Sequence, residues 1–346
     1  MNSKNTYSVI TCKEQEVWAE YLKKSLSYDF YHTGHYHALE QSGEPFLFIF
    51  HSGENFVALP LIKRQIEGSG YFDCTSAYGY TGPVSNLEFD EIEESLIAGF
   101  HETLSRFFIA EKIVSVFSRL HPLLNHDNIV GHAGGVFKNG QTIAISLDKP
   151  VEKIRLNYRR AFRQKINQLR LTGFSVRESR HPDEINAFCR IYNESMKNAG
   201  ASPRYFFNEN YFFNFLSSRD YESKLLLCYQ GETITSGIIL TLCNKIAQIH
   251  LAATDPAFMS FSPMKLLFDE AVVTAKEENI EFLHLGSGVG GAEDSLFHFK
   301  CGFSDLRFNF LTWRYIADSN TYNNLVEQRQ QNARELPDLF PLYRSA

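Results

Sequence analysis

Apolar positions along the chain recur at two spacings, and the switches between those spacings divide it into elements. Val17, Trp18, Tyr21, Leu22 and Leu26 fall at helical intervals. Two apolar runs follow, Phe46–Phe50 and Asn55–Arg64, joined across His51-Ser52-Gly53-Glu54, which predicts an antiparallel hairpin. A Tyr- and Gly-rich stretch from Tyr71 to Pro83 ends in a breaker; a helix is predicted over 91–110, with strands over 113–119 and 141–147. The second half opens with a helix over 151–171, stopped by Gly173, the residue type that most readily takes the left-handed conformation after a last helical turn. A strand over 174–178, a helix over 182–199 and a meander of strands over 225–229, 233–242 and 247–253 come next. Ser262-Pro263 reads as cap and first-turn proline of a helix running to Asn279. Strands over 282–285 and 306–315 close the series, and the polar tail from Ala317 reads as partly helical.

Each half thus reads helix, antiparallel strands, helix, strand. The expected class is α/β with a mixed sheet (α+β), duplicated in tandem, with domains at 1–150 and 151–316 and a polar tail at 317–346. A chain of 346 residues is long enough for two cores.

Composition narrows the function classes. The net charge of −6 argues against a dedicated nucleic-acid coat, so DNA is not an expected partner, although a local basic patch stays open. Cys12, Cys74, Cys189, Cys228, Cys243 and Cys301 are dispersed without a Cys-x-x-Cys pair, the usage of reduced thiols. No apolar run follows Lys4 as in a signal peptide, and none approaches the ~20 residues that span a bilayer. A soluble, cytoplasmic protein is therefore expected. In His32-x-x-His35-x-His37, a helix would put His32 and His35 on one face without His37, so a metal site is not expected. Nucleophile-elbow and P-loop motifs are absent, which leaves hydrolase and NTPase readings without support.

The chemistry gathers between Phe282 and Phe303. Gly286-Ser287-Gly288-Val289-Gly290-Gly291 spells G-x-G-x-x-G after a strand. A dinucleotide site also needs an acid roughly 20 positions further on, at the end of a second strand. The strand over 306–315 has none there, so that reading fails. What remains is a loop whose Gly288, Gly290 and Gly291 let backbone approach an anion, with a plain tight turn as the competing reading. Lys300 stands between Phe299 and Phe303, where a fixed ammonium can stabilise negative charge developing on a carbonyl oxygen. Its competing reading is a lysine covering apolar surface. Glu293 or Asp294 is a candidate proton acceptor, against helix capping.

The second concentration lies on the helix over 151–171. Ile154, Tyr158, Phe162, Ile166 and Leu169 form an apolar stripe, while Lys153, Arg155, Arg159, Arg160, Arg163, Lys165 and Arg170 leave the rest cationic with no acid between them. Such imbalance in an acidic protein points to phosphate or RNA contact.

The run of strand, Gly290-Gly291, Glu293-Asp294-Ser295-Leu296 and then Phe299-Lys300-x-Gly302-Phe303 resembles the FemABX family of aminoacyl transferases and the acetyltransferase-like proteins grouped with it. Arg163, Ile166 and Gly173 fit that family's basic helix, Arg-x-x-Ile with a Gly seven residues later. Tyr78-Gly79-Tyr80-Thr81-Gly82-Pro83 is similar to a turn in the acetyltransferase-like members, making Tyr78 and Tyr80 candidates for a wall of the acceptor cleft; packing into the core is the alternative. The resemblance implies two tandem GNAT-like domains and transfer of an aminoacyl or acyl group to an amine, in the family an amine of a peptidoglycan precursor. It implies no tightly bound cofactor, only a donor, aminoacyl-tRNA or acyl-CoA. It assigns Phe299 and Lys300 to the catalytic cleft, Lys300 stabilising the tetrahedral intermediate, and it suits Arg159, Arg160 and Arg163 as phosphate contacts. A lipid-linked acceptor would bring the protein to a membrane surface.

Departures from the family are equally legible. Tyr36-His37-Ala38-Leu39-Glu40 holds no Lys where the family's first domain uses one for precursor phosphates, which leaves the acceptor open. The stretch from Phe188 to Ser217 is too short for the coiled-coil arm of some members. Ordinary CoA-dependent enzymes of the class grip pyrophosphate with a Gly-rich turn at a helix start. The equivalent turn here, Phe258-Met259-Ser260-Phe261-Ser262-Pro263, contains no Gly. An acetyl-CoA-dependent N-acetyltransferase of exopolysaccharide or lipid-linked sugar synthesis is the alternative, and a non-catalytic RNA- or phosphate-binding relative the third.

Overall fold

Hydrophobic alternation drives the strands and 3.6-residue periodicity the helices, and both are realised in a computed structural model that describes residues 6–330 and 339–344. The expectation about the first residues, Met1–Asn5, lies outside the described residues, as does the part of the polar tail at 331–338 and 345–346. In chain order the elements are β1 (Thr6–Thr11), α1 (Gln15–Lys24), α2 (Gly34–Ala38), β2 (Glu44–Ser52), β3 (Asn55–Gln65), β4 (Phe72–Thr75), β5 (Val84–Ser85), α3 (Glu94–Ala110), β6 (Ile113–Arg119), α4 (Asp127–Val130) and β7 (Val136–Ser146). There follow α5 (Val151–Leu156), α6 (Arg160–Leu171), β8 (Phe174–Ser179), α7 (Pro182–Asn198), α8 (Glu209–Leu216), β9 (Glu222–Gln230), β10 (Thr233–Cys243), β11 (Ile246–Thr254), α9 (Met264–Glu277), β12 (Phe282–Gly286), α10 (Ser295–Lys300), β13 (Arg307–Ile316) and α11 (Ser319–Gln330).

Two compact units result: residues 1–139 with 309–346, and residues 140–308. The second unit thus begins before the boundary at 150/151 read from the sequence, and residues 309–316 count with the first unit. In the first, strands run β1-β2-β3-β4-β6, with β5 beside β3, and β13 adds antiparallel to β6 from Thr312 to Ile316. In the second they run β7-β12-β11-β10-β9-β8. Each unit holds one parallel neighbour pair separated by a helix, β4 and β6 across α3, β11 and β12 across α9. Each pair is followed in the sheet by an antiparallel strand, β13 or β7. This is a mixed α/β fold built twice, as the duplicated pattern requires.

The central strands of each unit are covered on both faces and so are apolar on both. In the first unit Phe100, Leu104, Phe107 and Phe108 of α3 pack on Phe46, Phe48, Phe50, Leu59 and Leu61, while Trp18 and Leu22 of α1 cover Leu47, Ile49 and Ala58. In the second, Leu267, Phe268, Ala271 and Val272 of α9 meet Ile238, Leu240, Leu283 and Leu285. Phe188 of α7 lies on the opposite face, so close to Gly237 that an added Cβ would stand 2.6 Å from its ring. Among the described residues no helix is long and apolar enough to cross a membrane.

Two local expectations need correction. The helix read over 151–171 is two helices, α5 and α6: the Arg159 amide leaves the helical ladder to donate to the Gly302 carbonyl at 2.8 Å. Ser262 is not a helix cap either. It adopts a left-handed backbone (φ 55°), and α9 starts after Pro263 without a side-chain cap.

Candidate active site

The parallel pair of the second unit forms the frame. β11 and β12 are in register at Ile246 with Phe282, Ala247 with Leu283 and Gln248 with His284; after that pair they part, β12 turning out at Gly286 (φ 80°) while β11 continues to Thr254. The glycine loop hangs from the end of β12. Ser287 anchors it twice: its hydroxyl donates to the Gln141 carbonyl at 2.7 Å, and its own carbonyl accepts from Lys300 Nζ at 2.6 Å. Gly288 is obligatory, since a Cβ there would sit 2.1 Å from the Ala292 oxygen and 2.3 Å from Asp294 Oδ1. Gly291, by contrast, serves its neighbour: its carbonyl stands 2.0 Å from where a Cβ on Gly140 would be. Gly290 (φ 65°) faces open space.

Asp294 closes the loop. Its two oxygens accept from the amides of Phe297 and Val289, each at 2.9 Å, capping α10. Burial alone would raise its carboxyl, but these amides, that of Leu296 and the nearby Lys300 charge outweigh it and hold it below the usual carboxylate range. Glu293 is exposed. The structure therefore spends Asp294 on the cap and leaves Glu293 facing solvent.

On α10 the helical spacing sends Phe297 and Lys300 inward and leaves Phe299 half-buried. Phe299 joins an aromatic wall with Phe268, Phe162 and Phe303, at 5.2, 5.6 and 5.6 Å between ring centroids. Gly302 admits Phe162 to that wall, because a Cβ would lie 2.1 Å from its ring. Lys300 is buried, and burial lowers its ammonium to about 8, with the Asp294 charge opposing the shift. Among the described residues its one hydrogen bond is to Ser287, so two of its three N–H donors are uncommitted. A lysine merely covering surface would be exposed; this one is buried and hydrogen-bonded.

The basic helix divides into two sets. Arg155 donates to both oxygens of the buried Asp269 on α9, Nε at 2.9 Å and Nη2 at 2.8 Å, and Arg170 Nη2 adds a third contact at 2.6 Å. The expectation of an unneutralised helix is thus wrong for these two, whose acid comes from another helix. Arg159, Arg160 and Arg163 make no ion pair among the described residues. They crowd the start of α6, which has no acid in its first turn and no side-chain cap. Cations at that end oppose the helix dipole, an arrangement that an anion relieves. Arg159 also borders α10: the Cys301 thiol, pushed up by burial, has Arg307 and Arg159 around it, and Asp305 and Glu293 as well.

Tyr78 and Tyr80 lie in the first unit. Tyr78 is fixed through its backbone, its amide donating to Glu40 Oε1 at 3.0 Å and its carbonyl accepting from Tyr36 at 2.7 Å. Tyr80 is half-buried against Phe310 and Tyr31. Their segment closes the first unit's own parallel pair. After Thr75 and Phe117, the strands are joined by Ser76 N to Phe117 O at 2.8 Å, Thr81 N to Arg119 O at 2.7 Å and His121 N to Thr81 O at 2.7 Å. Gly79 (φ 108°) and Gly82 (φ 126°) allow it, pressed against Tyr31 and His126. His32 and His37 point into this buried region, with His126 at 6.1 Å and His121 at 6.2 Å from the His32 ring. Among the described residues no three His, Cys, Asp or Glu side chains are placed to hold a metal ion.

The motif reading passed over a buried pair at the parting of β11 and β12: His284 Nδ1 lies 2.5 Å from Gln248 Oε1. Its signal was a polar residue at the centre of the apolar strand Phe282–Leu285, and alternation of Gln248 and His250 in β11.

Comparison with known proteins bears on the fold. Residues 156–300 match the family described as "Acetyltransferase (GNAT) domain". The fold is similar to that of FemX, with a TM-score of 0.69 at 13% identity over 92% of this chain and 99% of FemX. L-PGS from Bacillus licheniformis gives a TM-score of 0.57 at 15% identity over 93% of this chain and 98% of its own. A tandem GNAT protein from the clavulanic acid biosynthesis pathway gives 0.52 at 10% identity, over 90% and 98%. No curated protein sequence matches the chain. The chain is FemX-like in fold, with tandem GNAT-like domains.

Proposed function

We propose that the protein is an acyltransferase that moves an aminoacyl or acyl group from a tRNA- or CoA-type ester or thioester to an amine, with the second unit carrying the chemistry. The observation that supports this most is Lys300, buried beside the glycine loop with two N–H donors uncommitted. The acceptor amine attacks the donor carbonyl directly. Lys300 stabilises the oxyanion, Phe299 and its aromatic neighbours keep the site dry, and the loop of Gly288, Gly290 and Gly291 frames it. Arg159, Arg160 and Arg163 hold donor or acceptor phosphates. An amine of a cell-envelope precursor is the acceptor class that the likeness to FemX and L-PGS favours.

The CoA-dependent alternative, with its amine in exopolysaccharide or lipid-linked sugar synthesis, is disfavoured by the turn before α9, which has no glycine and exposes Met259. Titration calorimetry with aminoacyl-tRNA and with acetyl-CoA, followed by transfer of label to an amine, separates the two. Binding of one donor with label transfer is the expected result. RNA or phosphate binding without transfer from either would instead indicate a non-catalytic relative.

A further inference from the structure

The end of the second unit's sheet at which β11 and β12 finish carries a surface that the transfer chemistry does not use. We infer that this surface docks on an anionic lipid bilayer, with Leu171, Met259 and Phe261 entering the headgroup region and Lys165 and Lys265 meeting its phosphates. The inference goes beyond the transferase reading and does not depend on it.

Topology brings the five residues together. β11 and β12 are parallel, so the 3-10 turn Pro256–Phe261 that follows β11 and the glycine loop that follows β12 leave the sheet at the same end. Phe261 packs on Phe174, ring centroids 5.7 Å apart, and Phe174 opens β8 three residues after Leu171, the last residue of α6. On the other side of the turn the Lys265 amide donates to the Ser262 carbonyl at 3.2 Å, and its ammonium lies 4.8 Å from the centre of the Phe162 ring on α6. Burial, and after it the charge of Lys165 on the same helix as Phe162, hold the Lys265 ammonium below the usual lysine range.

The apolar members stand in water: Leu171 is 87% exposed, Met259 65% and Phe261 40%. Single exposed apolar side chains are ordinary, but these border one turn, and from Pro256 to Pro263 the chain has no charged residue. Three amides of this segment are paired locally. Phe258 N donates to Asp255 O at 2.9 Å, Ser262 N to Met259 O at 3.0 Å, and Ala257 N to Asp255 Oδ1 at 2.9 Å. Such a turn enters a headgroup layer without bringing those groups unpaired. The charge has the sign that anionic lipid requires. α6 carries no acid from Arg160 to Leu171 and α9 none in its first turn, in a chain of net charge −6. Neither Lys165 nor Lys265 has an ion-pair partner among the described residues. Two like charges kept near each other with no acid suit a layer of phosphates. A nucleic acid would meet the lysines but leave Leu171 and Met259 without partners, since bases stack on aromatic faces. A folded protein partner needs a fitted face of about 800 Å². An outstanding leucine and an unbranched methionine suit a fluid phase instead.

Vesicle flotation of the full chain tests it. Vesicles of equal parts phosphatidylglycerol and phosphatidylcholine should bind the wild type, and pure phosphatidylcholine should bind it about tenfold less or weaker, with added salt releasing the protein from the anionic vesicles. Met259→Asp and Leu171→Asp should each weaken binding about tenfold. Lys165→Glu combined with Lys265→Glu should weaken it about 10²-fold or more. Lys245→Glu, on the β10–β11 turn at the opposite end of the sheet, should leave it within about threefold of wild type. Trp18 and Trp313 are buried in the first unit, so added emission from Met259→Trp reports on the turn and should shift to shorter wavelength with anionic vesicles. Melting curves check that each variant folds. Failure of the wild type to bind anionic vesicles overturns the inference, as does RNA binding through the two lysines in place of vesicle binding. Wild-type binding by both Met259→Asp and Leu171→Asp overturns it too, since that is adsorption by charge alone. An equal loss in Lys245→Glu also overturns it, by showing that no particular surface is used. Absence of transfer from either donor would sink the transferase reading and leave this one standing.

Discussion

Both units carry a parallel strand pair bridged by a helix, yet they treat the end of that pair in opposite ways. In the first, residues Ser76 to His121 stitch β4 to β6 with three further backbone bonds, and buried tyrosines and histidines back the stitch. In the second, β11 and β12 part after Gln248 and His284, and the space is bordered by a glycine loop held by a buried lysine. A closed pair satisfies its own backbone; an open one leaves backbone donors and acceptors for something else. The same duplicated pattern thus yields one closed end and one open end, the second carrying the candidate active site.

Removing Lys300 gives the sharpest break in that contrast. Lys300→Met should reduce transfer about 10²–10³-fold, the scale of losing one oxyanion donor. Stability should change little, because the Ser287 carbonyl loses its partner while a buried ammonium is also removed. Rate and melting temperature measured together decide it, and retained turnover would falsify the role given to Lys300.

The second contrast is acid sensitivity of the stitched end. His32 and His37 are fully buried, and burial lowers them to about 3 and 4. Each folded pKa lies below the unfolded value near 6.5, so as pH falls past 6.5 the unfolded chain binds more protons. Stability is then lost progressively down to the folded values, by an amount on the order of a few kcal/mol per imidazole. Melting temperatures from pH 7 to pH 4 should fall, and His37→Gln should flatten the slope. An identical slope in that variant would remove His37 from the account.

The smallest effect separates the two arginine sets. Arg160→Glu should weaken donor binding about tenfold, and reduce its salt dependence, at unchanged stability. Arg155→Ala should do the reverse, destabilising by on the order of 1–3 kcal/mol because Asp269 stays buried with Arg170 as its remaining ion-pair partner. Equal effects of both on binding would dissolve the distinction.

Much of the layout was legible because periodicity is a local property. The strand at Ile113–Arg119 was read to the residue, and the hairpin turn before Asn55 follows from Gly53 (φ 64°) between two apolar runs. The edge strand β1 went unread since, in its six residues, only Ile10 is buried. The break between α5 and α6 was hidden because its cause, the Gly302 carbonyl, lies far along the chain.

The candidate site shows the same division. By itself the sequence determined the duplicated α/β order, the glycine loop, the Phe-Lys motif and the cationic helix, since spacing and residue type are enough to specify those. Only the tertiary structure decided which arginines Asp269 takes, that Asp294 is a cap, that His284 meets Gln248, and which parallel pair stays open. The arginine and His284 pairings bring groups distant in sequence within 3 Å, which no local pattern of polar and apolar residues encodes; the Asp294 cap is local, and there the structure decided between two readings that the sequence left open. The Phe282 to Phe303 stretch supplied both Lys300 and the Ser287 carbonyl; the fold brought them to 2.6 Å.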